Sequence, residues 1–190
     1  NAGEANIAVR HYNHYVSCIP VHGYHLTCGH IFELEGKKWV VVSPACDMVP
    51  GQRQMGFENI HEDHRPFVAL QLYENGHNLT DTEINSGNFV FLEKDGDVEV
   101  YCSFQKSSDP VEQAPKVTWS NFVALNQGVL SEDNSFGILT LDAKQEAIES
   151  KKHKVRVSSQ LRYEFALNLI NRLGLTMTRI GLSYTGHGSS

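Results

Sequence analysis

The hydrophobic pattern is most informative between Gly29 and Gly51. Trp39-Val40-Val41-Val42 is a run of large and β-branched residues without alternation, the signature of a strand buried on both faces. Just before it, Phe32 and Leu34 share one face of an extended segment and Ile31 and Glu33 share the other. Glu35-Gly36-Lys37 lies between the two runs and supplies a hairpin turn. The pattern predicts strands at 31–35 and 38–43. Pro44 cannot donate to a ladder, so the second strand is expected to end at Ser43. A sharp exit then carries Cys46 and Asp47. Side chains at such an exit are held by a rigid scaffold yet face solvent, and functional groups concentrate there.

Elsewhere the alternation is patchier. Residues 4–27 show no clean period, and a short strand is predicted near 15–19, ended by Pro20. Residues 44–65 form a long polar excursion of the kind that is often functional. Phe67–Tyr73 alternates as a strand. Thr80 with Glu83 three residues on is a capping box for one helical turn. Residues 88–104 give a hairpin around Asp95-Gly96, whose alternation makes Cys102 a small core residue. Val117–Leu125 and Gly137–Leu141 read as strands. Residues 142–152 read as a short charged helix capped by Asp142. Leu161, Phe165, Ala166, Leu169, Ile170 and Leu173 form an apolar stripe at helical spacing. They predict a helix over 159–173, capped by Ser158 or Ser159 and stopped by Gly174. A closing strand is expected over 175–184.

Length and charge narrow the class. A chain of 190 residues is expected to be one domain, with 1–14 and 185–190 as flexible ends. Asn1-Ala2-Gly3 reads as the remnant of a cleaved tag, so the chain is expected to be excised from a longer protein. No apolar run reaches the length of a bilayer span, and no secretory leader opens the chain. The expectation is a cytoplasmic protein with no membrane partner and with its four cysteines reduced. The net charge of −6 conceals a basic end. Residues 151–190 carry Lys151, Lys152, Lys154, Arg156, Arg162, Arg172 and Arg179 against the single acid Glu164. A basic helix docked on an acidic body explains this, and a nucleic-acid surface is the sharper reading.

Three sets of residues carry candidate chemistry. His22, His25, Cys28 and His30 lie close in sequence, and Cys46 would approach His30 across the hairpin. Imidazole and thiolate suit zinc, which makes Cys28, His30 and Cys46 the metal candidates. The spacing is not that of a standard zinc site, and no cofactor is the expectation. Cys46 as a nucleophile would need His30 as base and Asp47 to orient it. Without an activating group, Cys46 packs under the turn and Asp47 caps backbone amides. Cys46, Asp47, Gln52, Arg53 and Arg179 form the expected ligand-binding set.

Two segments carry a resemblance. GHIFELEGKKWVVVSPACDMVPG and QLRYEFALNLINRLGLTMTRIGLSY together resemble segments of prokaryotic domains with a Cys-Asp-Leu motif. Those domains are often found beside response-receiver domains in signalling or defence settings. Cys28-Gly29-His30 stands where a simple Gly-Asp is expected in them. Gly-His-Ile-Phe followed by Val41-Val42-Ser43 is similar to the opening of PemK-type toxin ribonucleases, which are small SH3-like barrels.

The combined expectation is a mainly β, α+β domain. It would be a partly open, SH3-like β-barrel with a C-terminal amphipathic helix packed over one end. Its expected role is a non-catalytic sensing or interaction module that takes a protein partner or small ligand. The alternative is a metal-assisted or toxin-like nuclease acting through His30, Cys46, Asp47 and Arg179.

Overall fold

A computed structural model describes residues 2–52, 61–75, 79–105, 117–144 and 147–179. The chain opens with helix α1, Ala2–Ser17, and a two-residue strand β1, Cys18–Ile19. Strands β2, His30–Leu34, and β3, Lys37–Val41, form the expected hairpin, with Glu35 and Gly36 both at positive φ in its turn. Strand β4, His64–Glu74, is followed by the single turn α2, Asp81–Ile84. There Thr80 and Glu83 form the capping box that the sequence predicts. Strands β5, Phe89–Lys94, and β6, Asp97–Cys102, pair around Asp95-Gly96. Strands β7, Trp119–Leu125, β8, Ser135–Lys144, and β9, Ala147–Leu161, precede helix α3, Tyr163–Arg179.

Six strands close into an antiparallel barrel in the order β3-β2-β9-β8-β7-β4, with β4 pairing back onto β3. Closure removes the open edge that the sequence alone leaves. The long β4 makes it possible. Its first part pairs with β7, its middle also pairs with β3, and its last residues pair with β6.

The alternation of each strand divides the apolar residues between two cores. Phe32, Leu34, Trp39, Val41, Phe67, Ala69, Phe122, Ala124, Phe136 and Ile138 fill the barrel. Ile31, Val40, Val42, Leu70 and Leu72 face outward into a second core with Val90, Leu92, Tyr101 and Phe104. This is why Trp39–Val42 lacks alternation: both of its faces are covered. Ala166, Leu169 and Leu173 of α3 complete the outer core. The helix therefore lies against the barrel wall rather than over an end.

Four sequence expectations are corrected. Residues 142–144 and 147–152 are strand: Leu141 pairs with Ser150 and Lys144 with Ala147 along β8 and β9. Cross-strand pairing overrides a local helical pattern of charged residues. That pairing carries β9 through Leu161, where Cys18 is its partner. Ser158 and Ser159 are thus in the sheet, and α3 starts only at Tyr163. Gly174 does not stop α3, which runs on to Arg179 in place of the predicted start of a closing strand. At the N-terminal side, α1 occupies the stretch expected to be a flexible lead and most of the expected 15–19 strand. Residues 185–190 lie outside the described residues.

Gly29 is the joint of the assembly. Its N–H donates to Val41 O at 2.9 Å, and its carbonyl accepts from Leu161 N at 2.9 Å. Its φ is +86°, and a Cβ there would sit 2.9 Å from Leu161 O. Only glycine meets both demands. No helix among the described residues is long and apolar enough to cross a membrane.

Candidate functional site

The ladder does not stop at the end of β3. Val42 N donates to Val68 O at 2.9 Å, and Ser43 Oγ accepts from Val68 N at 2.8 Å. Pro44 then ends the pairing, and Ala45–Met48 forms a 3-10 turn closed by Asp47 N to Pro44 O at 3.0 Å. Met48 is 0% exposed and inserts among the barrel's interior side chains. With Met48 as an inward plug, the same turn presents Cys46 and Asp47 to solvent. The Cys46 Sγ lies 3.5 Å from Asp47 Oδ1. The exit from β3 brings both side chains to the surface, and neither lines the two clefts described among these residues.

The turn is fastened from below by Arg65, a residue that the sequence did not single out. Arg65 is 4% exposed. Its Nη1 donates to Gln52 O at 2.8 Å and to Asp47 O at 3.2 Å, and its Nη2 donates to Gln127 Oε1 at 3.2 Å. Gln127 Oε1 also accepts from Gly51 N, and Gln127 N donates to Asp63 O at 2.8 Å. Burial pushes the guanidinium's pKa down and the nearby Asp47 carboxylate opposes that shift. Gln127 is in the left-handed region at φ 53°, between Asn126 at 49° and Gly128 at 75°. Two consecutive non-glycine residues in that region are costly, and here the Gln127 bonds hold them. One guanidinium thus ties two loops together and leaves Cys46, Asp47 and Gln52 exposed along a fixed shelf. Arg53 lies outside the described residues. Arg179 ends α3, and its side chain lies outside them too.

The remaining candidates are elsewhere. His30 is 0% exposed and shares the barrel-facing side of β2 with Phe32 and Leu34. Its Nδ1 accepts from Thr27 N at 3.2 Å, and its Nε2 has no partner among the described residues. Burial lowers its pKa to about 4, against a weaker opposing effect from Gln160. Cys28 is buried in the outer core, and burial pushes its thiol up to about 11. Cys28, His30 and Cys46 therefore occupy the outer core, the barrel interior and the surface. Among the described residues no three His, Cys, Asp or Glu side chains gather to hold a metal. The zinc set drawn from the sequence does not fit, and the proposed His30–Cys46 pairing is not formed. Cys102 is half-buried at the end of β6, and burial raises its thiol pKa.

His30 gives a testable pH dependence. In the unfolded chain its pKa is about 6.5, and in the folded protein it is about 4. Above pH 6.5 the ring is neutral in both states. As pH falls, the unfolded chain takes a proton that the folded protein refuses, so stability declines until about pH 4. Denaturant unfolding of wild type and His30→Gln across this window should show wild type losing about 3 kcal/mol more than the variant. Parallel pH curves would mean the ring is not sealed.

Arg65 and Gln127 escaped the sequence reading because neither belongs to a motif. The one available signal was Arg65 directly before Pro66 at the start of a strand. Comparison with protein-family models, curated proteins and solved structures finds no match to the chain.

Proposed function

We propose that this domain is a non-catalytic binding module that recognises a protein segment or small ligand through the shelf of Cys46, Asp47 and Gln52. The observation that carries the reading is Arg65: a buried guanidinium fixes the main chain at Asp47 and Gln52 while their side chains stay exposed. A pre-set backbone with an accessible carboxylate and thiol lowers the ordering cost of binding. A ligand with a cationic or N–H group facing Asp47 suits it. His30 and Cys28, two of the candidate catalytic and metal residues, are buried and have no access to a substrate. The resemblance of residues 29–51 and 160–184 to prokaryotic signalling and defence domains supplies the biological setting of the proposal.

The test uses Cys46, which is the exposed thiol among the four cysteines. A photo-crosslinker attached there should capture a discrete partner. Excess unlabelled wild type should compete the capture away, and Asp47→Lys protein should not. Capture competed equally by both proteins would remove Asp47 from the surface. The nuclease alternative is checked on the same preparation, by RNA and DNA cleavage with and without chelator and by metal analysis. No cleavage is expected. Chelator-sensitive cleavage lost in Asp47→Ala would overturn the binding-module reading.

A further inference from the structure

A second site lies apart from the shelf, where the α1–β1 junction, the start of α3 and the tip of the β5–β6 hairpin meet. The cleft there has a volume of about 630 Å³, within the range of small-molecule sites. Its lining carries charges of both signs. One is Arg162, whose N–H anchors α3 by donating to Ser17 O at 2.8 Å. Among the described residues its guanidinium makes one hydrogen-bond contact, Nη2 3.5 Å from Tyr15 O. Its Nε is buried without a partner, and no carboxylate pairs with it among the described residues. Glu93 and Asp95 line the same cleft. Among the described residues Glu93 makes one ion-pair contact, Oε2 to His14 Nε2 at 3.8 Å. The neighbouring Lys94 is turned away to Glu99, at 2.7 Å.

The floor of the cleft is fixed. Phe91 O accepts from Cys18 Sγ at 3.3 Å and pairs with His14 Nδ1 at 2.9 Å, so α1, β1 and β5 share one carbonyl. Ile19, Pro20 and Val21 add apolar surface. A guanidinium without a carboxylate partner among the described residues and the carboxylates of Glu93 and Asp95, lining one small cleft, suit a molecule bearing both charges.

We propose that this cleft binds a small zwitterion with a carboxylate on Arg162 and an ammonium on Glu93 and Asp95. That is the chemistry of a free amino acid or a short peptide. Neither terminus alone uses both charges, and a guanidinium takes a carboxylate in two parallel hydrogen bonds. The site is independent of Asp47, and its failure would leave the shelf untouched.

The test is calorimetric or NMR titration of the full chain with alanine, dialanine and trialanine, then with the N-acetyl and C-terminal amide forms of the tightest binder. Saturable binding of at least one of the three is expected, and each blocked form should bind at least about tenfold more weakly. The series also separates a free amino acid from a peptide terminus. In Arg162→Gln the amide and the acid should bind alike. In Glu93→Gln/Asp95→Asn the N-acetyl form and the parent should bind alike. Should Arg162→Gln fail to fold, the hairpin-tip variant, whose two sites are exposed, carries the test. No saturable binding by any of the three would overturn the proposal. So would affinities that ignore both blocking groups, or loss of discrimination in neither variant.

Discussion

Replacing Phe32 with alanine is expected to cost about 3 to 5 kcal/mol, the range for emptying a fully buried aromatic site. Phe32 is 0% exposed and lies at the centre of the barrel. It meets Phe136 edge-to-face at 5.7 Å, Phe122 at 5.9 Å and Phe67 at 6.0 Å. These three rings come from β8, β7 and β4, so one side chain on β2 touches strands around the whole barrel. Each aromatic pair adds roughly 0.5 to 1.5 kcal/mol beyond burial. Rigid strands cannot collapse to fill the hole, which puts the loss toward the upper end. A domain of this size has about 5 to 15 kcal/mol in total, so the variant should unfold at far lower denaturant concentration. Phe32→Leu retains most of the volume and should lose much less. Tyr24→Ala, at an 88% exposed ring, should stay within about 0.5 kcal/mol of wild type. A Phe32→Ala loss no larger than that control would mean the four rings do not form one core.

The same centre shows which parts of the fold the sequence could reveal. The β2–β3 and β5–β6 hairpins were legible because Glu35-Gly36 and Asp95-Gly96 specify their turns locally. The Thr80–Glu83 box was legible for the same reason. Trp39–Val42 announced a strand covered on both faces, and Leu169 announced the buried stripe of α3. Closure of the barrel was not legible. It depends on β3 pairing with β4 at Val41 and Ala69 and on β9 reaching β2 at His30 and Gln160. Those contacts span long loops, and no local pattern encodes them. The β8–β9 ladder was masked by charged residues whose spacing imitates a helix, and pairing along ten residue pairs outweighs that preference. Once β9 extends to Leu161, α3 has to start later than its apolar stripe suggests. For the site, Pro44 marked the exit that exposes Cys46 and Asp47. The burial of His30 was missed because the expected strand began at residue 31; β2 begins at His30, and the same alternation then puts its ring on the face of Phe32 and Leu34. The frame under the shelf was hidden because its acceptors are two main-chain carbonyls and the side chain of Gln127, far away in the chain.

That frame predicts the second large effect. Arg65→Met should destabilise the domain by about 2 to 6 kcal/mol, the cost of leaving two main-chain acceptors without their donor. Methionine fills much of the space but donates nothing. The carbonyls of Asp47 and Gln52 and one of the two bonds to Gln127 Oε1 would then lose their donor, and a buried acceptor left unpaired costs about 1 to 3 kcal/mol. Lysine is no substitute. Its ammonium is a point donor and cannot reach acceptors arranged around a planar fork, so Arg65→Lys should recover only part of the loss. Amide exchange should localise the damage, with faster exchange at Gly51, whose N–H shares Gln127 Oε1 with Arg65. Asp47→Asn is the contrasting variant. It keeps the main-chain carbonyl that Arg65 holds and removes only the charge, so stability should fall far less than in Arg65→Met while capture through Cys46 is lost. If Asp47→Asn proved as destabilising as Arg65→Met, the carboxylate would belong to the frame, and the shelf would have no charged group left for a partner. If the two variants separate as expected, the buried guanidinium sets the shape of the surface and the exposed carboxylate sets what it recognises.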